Sequence, residues 1–172
     1  MVKFYAGVAE DLILYARQLG WFHSIPEKPK SHKQSAEKTK PVSRGEKIKA
    51  NGGTLLMPPL YEAEYIIQYW QSMGMVESGF NGPIPLSSKE IQAWAQGLSL
   101  ELSPWEFQIL RDISKAYIVE LREAESLERL PPYGDPVNEF DRATVSKQLG
   151  SAFKALILAK GNNGNKRRLP HD

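Results

Sequence analysis

Cysteine is absent from the chain, which excludes a disulfide framework, a thiolate nucleophile and any cysteine-ligated metal. Histidine is scarce: His23, His32 and His171 lie far apart. None is spaced with a second ligand or a nucleophile as a metal site or nucleophile–base pair requires. No apolar run approaches the roughly 20 residues that cross a bilayer. Glu10 and Asp11 fall where a signal peptide carries an unbroken apolar stretch, so a cytoplasmic protein is expected. Gly52-Gly53 and Gly161-Asn-Asn-Gly164 lack the strand–turn–helix setting and the Lys-Ser/Thr ending of a phosphate loop. No sustained alternation of apolar and polar residues marks a strand. With no catalytic constellation, metal cluster or cofactor motif in view, the expectation is a binding protein and not an enzyme.

What is present is apolar and aromatic. Hydrophobic residues make up 41% of 172, with four Trp, seven Tyr and six Phe, enough to build a core in a chain of one-domain length. The net charge of +2 conceals a segregated distribution. Residues 27–53 hold eight basic and three acidic side chains, whereas residues 54–129 hold five basic and eleven acidic. Residues 160–172 are again basic, four against one. Positive charge thus sits in the segments that look least able to fold, and the apparent globule is acidic.

Periodicity places the helices. Phe4, Val8, Leu12, Tyr15 and Leu19 predict a helix over 3–19 that stops at Gly20. From Pro26 to Gly53 the chain is rich in Lys, Ser, Pro and Gly, with Val42 and Ile48 as its only sizeable aliphatics. It is expected to be a flexible linker, because so little apolar surface cannot offset the entropy of ordering. Tyr61, Tyr65, Ile66, Tyr69, Trp70 and Met73 predict a second helix from about 60 to 75, followed by a loop of turn residues through Pro85. Two further starts are marked by Ser followed three residues later by Glu, at Ser87–Glu90 and Ser103–Glu106. The second opens a long helix expected over 104–129, stopped by Pro131-Pro132. A last helix is expected from Asp135-Pro136 to Lys160. The expected fold is all-α: a small helical bundle with a flexible basic linker after an N-terminal helix. Its parts are an N-terminal helix (1–25), the linker (26–53), a helical domain (54–160) and a disordered basic tail (161–172).

Glu120, Glu123, Glu125 and Glu128 crowd one helix end and are expected to form a solvated acidic face. They lack the Glu-x-x-His elements of a metal-binding bundle. Residues 87–115 have the rhythm of a helix–turn–helix, but carry three basic residues against four acidic. The phosphate-neutralising charge that dominates DNA affinity is missing there. A protein-binding helical hairpin fits better, and contact with nucleic acid is left to the basic linker or tail.

The segment from Pro59 to Leu121 resembles phage tail assembly chaperones, short helical proteins encoded among the tail genes of tailed bacteriophages and prophages. The residues that carry the likeness are Trp70, Pro83-Ile84-Pro85, Ile91, Ala93-Trp94, Leu102, Pro104-Trp105-Glu106, Leu110, Asp112 and Ala116-Tyr117. The N-terminal helix, the basic linker and residues 130–172 lie outside it. The resemblance implies a protein that holds the long helical tape-measure protein in the host cytoplasm before tail-tube subunits polymerise around it. Such a role requires a groove or stripe that accepts amphipathic helices through spaced anchors. The candidate partner-binding residues are Tyr61, Tyr65, Tyr69, Trp70, Trp94 and Trp105, of types that dominate interfaces; the plainer reading is that they fill the core. Two other roles stay open, a minor structural component retained in the virion and a nucleic-acid-associated regulator.

Overall fold

In the computed structural model, residues 2–27 and 40–134 are described, within a compact unit that spans Met1–Gly134. The helix expected over 135–160 and the tail over 161–172 lie outside the described residues. The fold is mostly helical with one small hairpin. Its elements are α1 (Val2–His23), α2 (Arg44–Ala50), a 3₁₀ turn (Tyr61–Ala63), α3 (Glu64–Ser72), β1 (Val76–Gly79), β2 (Gly82–Pro85), α4 (Ser88–Gly97) and α5 (Pro104–Glu123).

Helix α1 is no appendage, contrary to the expected division at residue 25. It packs along α5, and its C-terminal turn lies beside that of α5, where Glu27 N donates to Glu125 O (2.9 Å). It also runs straight through Gly20, which was expected to end it. Gly20 is a packing residue: a Cβ there would stand 2.6 Å from Tyr117 O and 3.2 Å from Leu121 N. Absence of a side chain lets two helix backbones touch, a tertiary demand that overrides glycine's weak helix propensity.

The expected linker also holds a helix. Ser43 and Glu46 form a reciprocal capping box at the start of α2, the same Ser-x-x-Glu spacing that marks the later helices. The helix docks through the residue that follows the cap. Arg44 N donates to Ser24 O (3.0 Å). The Arg44 guanidinium lies 4.7 Å from the Trp21 ring centre and donates to Ala124 O and Ser126 O, beyond the end of α5, at 2.7–3.2 Å. Cations at a helix C-terminus satisfy orphan carbonyls and oppose the macrodipole. Trp21, Phe22 and Ala124 form a small core here with Ile48, Leu55 and Met57 against it.

Helix α5 ends at Glu123, six residues short of the expected 129, because the chain turns back. Arg129 reaches Glu120 through Nε–Oε1 (2.7 Å) and Nη2–Oε2 (2.8 Å), and Trp21 Nε1 donates to Arg129 O (3.0 Å). Arg17 of α1 closes on Glu120 Oε2 at 3.0 Å. Glu120 is therefore not part of a solvated acidic face but fully buried. Burial alone would raise its pKa; hydrogen bonds from Arg129 and Arg17 outweigh that and hold the carboxyl below its ordinary range. Buried Gln18 ties the flanking segments, donating to Leu56 O and accepting from Tyr133 N, both at 3.0 Å.

The expected second helix is shorter, a 3₁₀ turn and then α3, and the loop after it contains the hairpin. Val76 pairs with Pro85 and Gly79 with Gly82. Strands of four residues are too short to display a period-two pattern, so all-α was the wrong description of this segment. A single buried hydroxyl fixes the hairpin: Ser114 Oγ donates to Met75 O (2.8 Å) and accepts from Leu86 N (2.9 Å), at its two ends. The main core comprises Leu12, Ala16, Ile66, Trp70, Leu86, Ile91, Leu110 and Ile113, among others.

Two substitutions test this frame by urea denaturation. Gly20→Ala is expected to lower stability by about 1–3 kcal/mol through overpacking, the opposite of its effect in an open helix. Glu120→Gln is expected to cost about 1–3 kcal/mol near neutral pH, because Arg17 loses this carboxylate and Arg129 keeps only Glu123. Since the folded pKa of Glu120 is depressed, its stabilisation is present above the unfolded carboxyl pKa and lost as pH falls through the folded value. The gap between wild type and Glu120→Gln should therefore narrow on acidification; a gap constant with pH would refute the assignment.

Candidate partner-binding surface

Three of the six candidate aromatics, Tyr65, Tyr69 and Trp94, share one stripe. Tyr65 and Tyr69 lie one turn apart on one face of α3, whereas Tyr61 stands ahead of that helix in the 3₁₀ turn. Tyr65 and Tyr69 meet edge to face at 5.5 Å between ring centres. Tyr69 continues onto Trp94 of α4 at 5.3 Å, so the stripe crosses from one helix to the next. Tyr61 is 78% exposed and Tyr65 38%, while Tyr69 and Trp94 are half-buried. Leu98, one turn beyond Trp94, is 62% exposed and extends the apolar strip.

Local sequence fixes each member. Tyr61 follows Pro58-Pro59-Leu60 and takes up a left-handed backbone, φ 46°, uncommon for a bulky residue. Tyr65 Oη donates to Glu106 Oε1 (3.0 Å), while Glu106 Oε2 accepts from Ser103 N (2.7 Å) in the cap of α5. The carboxylate that starts α5 thus also orients Tyr65. Burial opposes ionisation of Glu106, but the hydrogen bonds from Ser103 and Tyr65 prevail and its pKa is lowered. Trp94 is positioned by the cap of α4. Ser87 Oγ accepts from Glu90 N (3.2 Å), yet Ser87 N donates to Glu77 Oε1 of β1 (2.6 Å). The hairpin thereby supplies the carboxylate that the expected Ser87–Glu90 box was to provide.

The other two candidates behave differently. Trp70 is wholly buried, its Nε1 donating to Met75 O (2.7 Å) and its ring edge to face with Tyr117 at 5.4 Å. It is core and not a partner-binding residue: a position one from Tyr69 on a helix faces about 100° away. Trp105 is half-buried and packs against the main core. One exposed aromatic was passed over, Phe80 at the hairpin turn, fully exposed. Its signal was an aromatic in the turn run Gly79-Phe-Asn-Gly82, where Gly82 adopts φ 105°.

Among the described residues no group of acidic and imidazole side chains is placed to hold a metal ion. None of the described helices is long and apolar enough to cross a membrane. His23 is engaged structurally, its Nδ1 2.8 Å from Tyr117 Oη. Burial and the nearby Lys49 lower its pKa, which disfavours the cation.

No protein-family model, curated protein or solved structure matches the chain.

A stability comparison separates display from packing. Trp70→Ala is expected to cost about 3–5 kcal/mol by urea denaturation. Tyr61→Gly should leave stability unchanged or raise it by about 1 kcal/mol, since glycine relieves the left-handed backbone. A loss above about 1 kcal/mol for Tyr61→Gly would show that the ring is a packing element.

Proposed function

We propose that this chain is a non-catalytic phage tail assembly chaperone that holds the helical tape-measure protein in the host cytoplasm during tail morphogenesis. The observation that carries the proposal is the strip Tyr65–Tyr69–Trp94, displayed across α3 and α4, with exposed Tyr61 ahead of it. Tyr and Trp give large contact area at low entropic cost and are the commonest interface anchors. The strip lies on a well-packed base, so little ordering would accompany binding. It falls within the segment whose residues resemble the tail chaperones, including Ala93-Trp94 and Pro104-Trp105-Glu106. A long helical client offers repeated apolar stripes, and several copies of a holder along one client gain avidity without any new contact.

The test is a tagged pull-down from cells producing the whole tail gene set, with mass spectrometry of the recovered proteins. Recovery of the tape-measure protein, with little of this chain in finished particles, is expected. Recovery of nucleic acid or of no partner, with normal particles forming when the gene is deleted, would rule the proposal out. Abundance in purified virions would instead favour a structural component.

A further inference from the structure

The strip lies in a stretch of the chain with an acidic excess. Between Thr54 and Asp112 the chain carries seven acidic residues (Glu62, Glu64, Glu77, Glu90, Glu101, Glu106, Asp112) and two basic ones, Lys89 and Arg111. Two of the carboxylates are placed at the strip itself. Glu106, half-buried, accepts the Tyr65 hydroxyl (3.0 Å), and exposed Glu90 stands one turn before Trp94 on the same face of α4. The remaining exposed polar residues on these helices include Gln68, Gln71, Gln92 and Gln96, amides that hydrogen-bond to either charge sign and do not offset the acidity.

We infer that the segment this strip accepts is a basic amphipathic helix, with Lys or Arg flanking its apolar anchors. The inference rests on the proposed role of the strip and specifies the chemistry of its occupant. Two features act in the same direction. Carboxylates at the rim attract cations and repel an acidic helix, which governs partner choice and association rate more than the depth of binding. The faces of Tyr and Trp rings attract ammonium and guanidinium groups in addition. An anionic occupant such as nucleic acid meets the reverse field and lacks the cations that neutralise phosphate.

The experiment uses the full chain and three synthetic helical peptides with identical apolar anchors, flanked by Lys, Gln or Glu. Binding is followed by calorimetry at low and high salt. The expected order is Lys, then Gln, then Glu, with about a tenfold or greater gap between the extremes at about 50 mM salt that shrinks at about 500 mM. The double variant Glu90→Gln/Glu106→Gln keeps residues that can still cap α4 and α5; with its fold checked by circular dichroism and urea denaturation, it should bring Lys- and Glu-flanked peptides to within about twofold. Equal binding of Lys- and Glu-flanked peptides to the wild-type chain would overturn the charge assignment and leave the strip as a helix-binding surface. A preference that survives in the double variant would show that other groups set it, and overturn the role of these carboxylates. Failure of all three peptides to bind would overturn both this inference and the role of the strip. So would sedimentation showing a dimer that breaks on Tyr61→Ala, since a second copy would then be the occupant.

Discussion

The contact at Gly20 sets the spacing of α1 and α5, and much of the remaining structure is a response to it. Two backbones in near contact carry the C-terminal turns of both helices to one end of the molecule. Their exposed carbonyls and macrodipoles concentrate partial negative charge there. Positive groups converge on the same place. The first backbone amide of α2 meets Ser24 O, and the Arg44 side chain covers the carbonyls beyond α5. Glu120, buried between α1 and the returning chain, is answered by one arginine from each side. The apolar contact and the polar network are therefore one arrangement: the approach buries the carboxylate, and the arginines make its burial tolerable.

Helix α5 then distributes this order to the rest of the fold. Its successive turns are each assigned to a different neighbour. Glu106 orients Tyr65, Ser114 fastens both ends of the hairpin, Tyr117 receives the Trp70 ring, and Glu120 collects the arginines. The hairpin in turn caps α4 through Glu77. Every element that displays the aromatic strip is thus attached to the same helix within one or two bonds. A binding surface fixed in this way resembles the rigid scaffolds on which recognition residues are held with low ordering cost.

What could be read in the sequence was local. The Ser-x-x-Glu patterns located the starts of α4 and α5, and the four-residue recurrence of Tyr65 and Tyr69 gave their common face, whereas Tyr61 falls outside α3. What escaped was decided by distant partners. Gly20 has the form of a helix stop, and only the nearness of Tyr117 O explains why the helix continues. The box at Ser43–Glu46 has the same spacing as the other two but lies in basic, proline-flanked surroundings that mask it; its docking depends on Arg44 reaching residues about eighty positions away. Trp70 could not be separated from its tyrosine neighbours until the direction of each side chain was known. The hairpin was hidden by its brevity, and with it the exposure of Phe80 at its turn.

The order of the chain gives these contacts a temporal dimension. The bonds that anchor α1 join residues far apart in sequence, Arg17 to Glu120 and Gln18 to Tyr133, across 103 and 115 positions. On a ribosome adding roughly 5–20 residues per second, α1 emerges several seconds before α5, the helix against which it packs, exists. Its apolar face must wait that long uncovered, and long-range closure of this kind slows folding. Helix α1 is made well before α5, so its apolar face has to await a partner encoded about a hundred positions later.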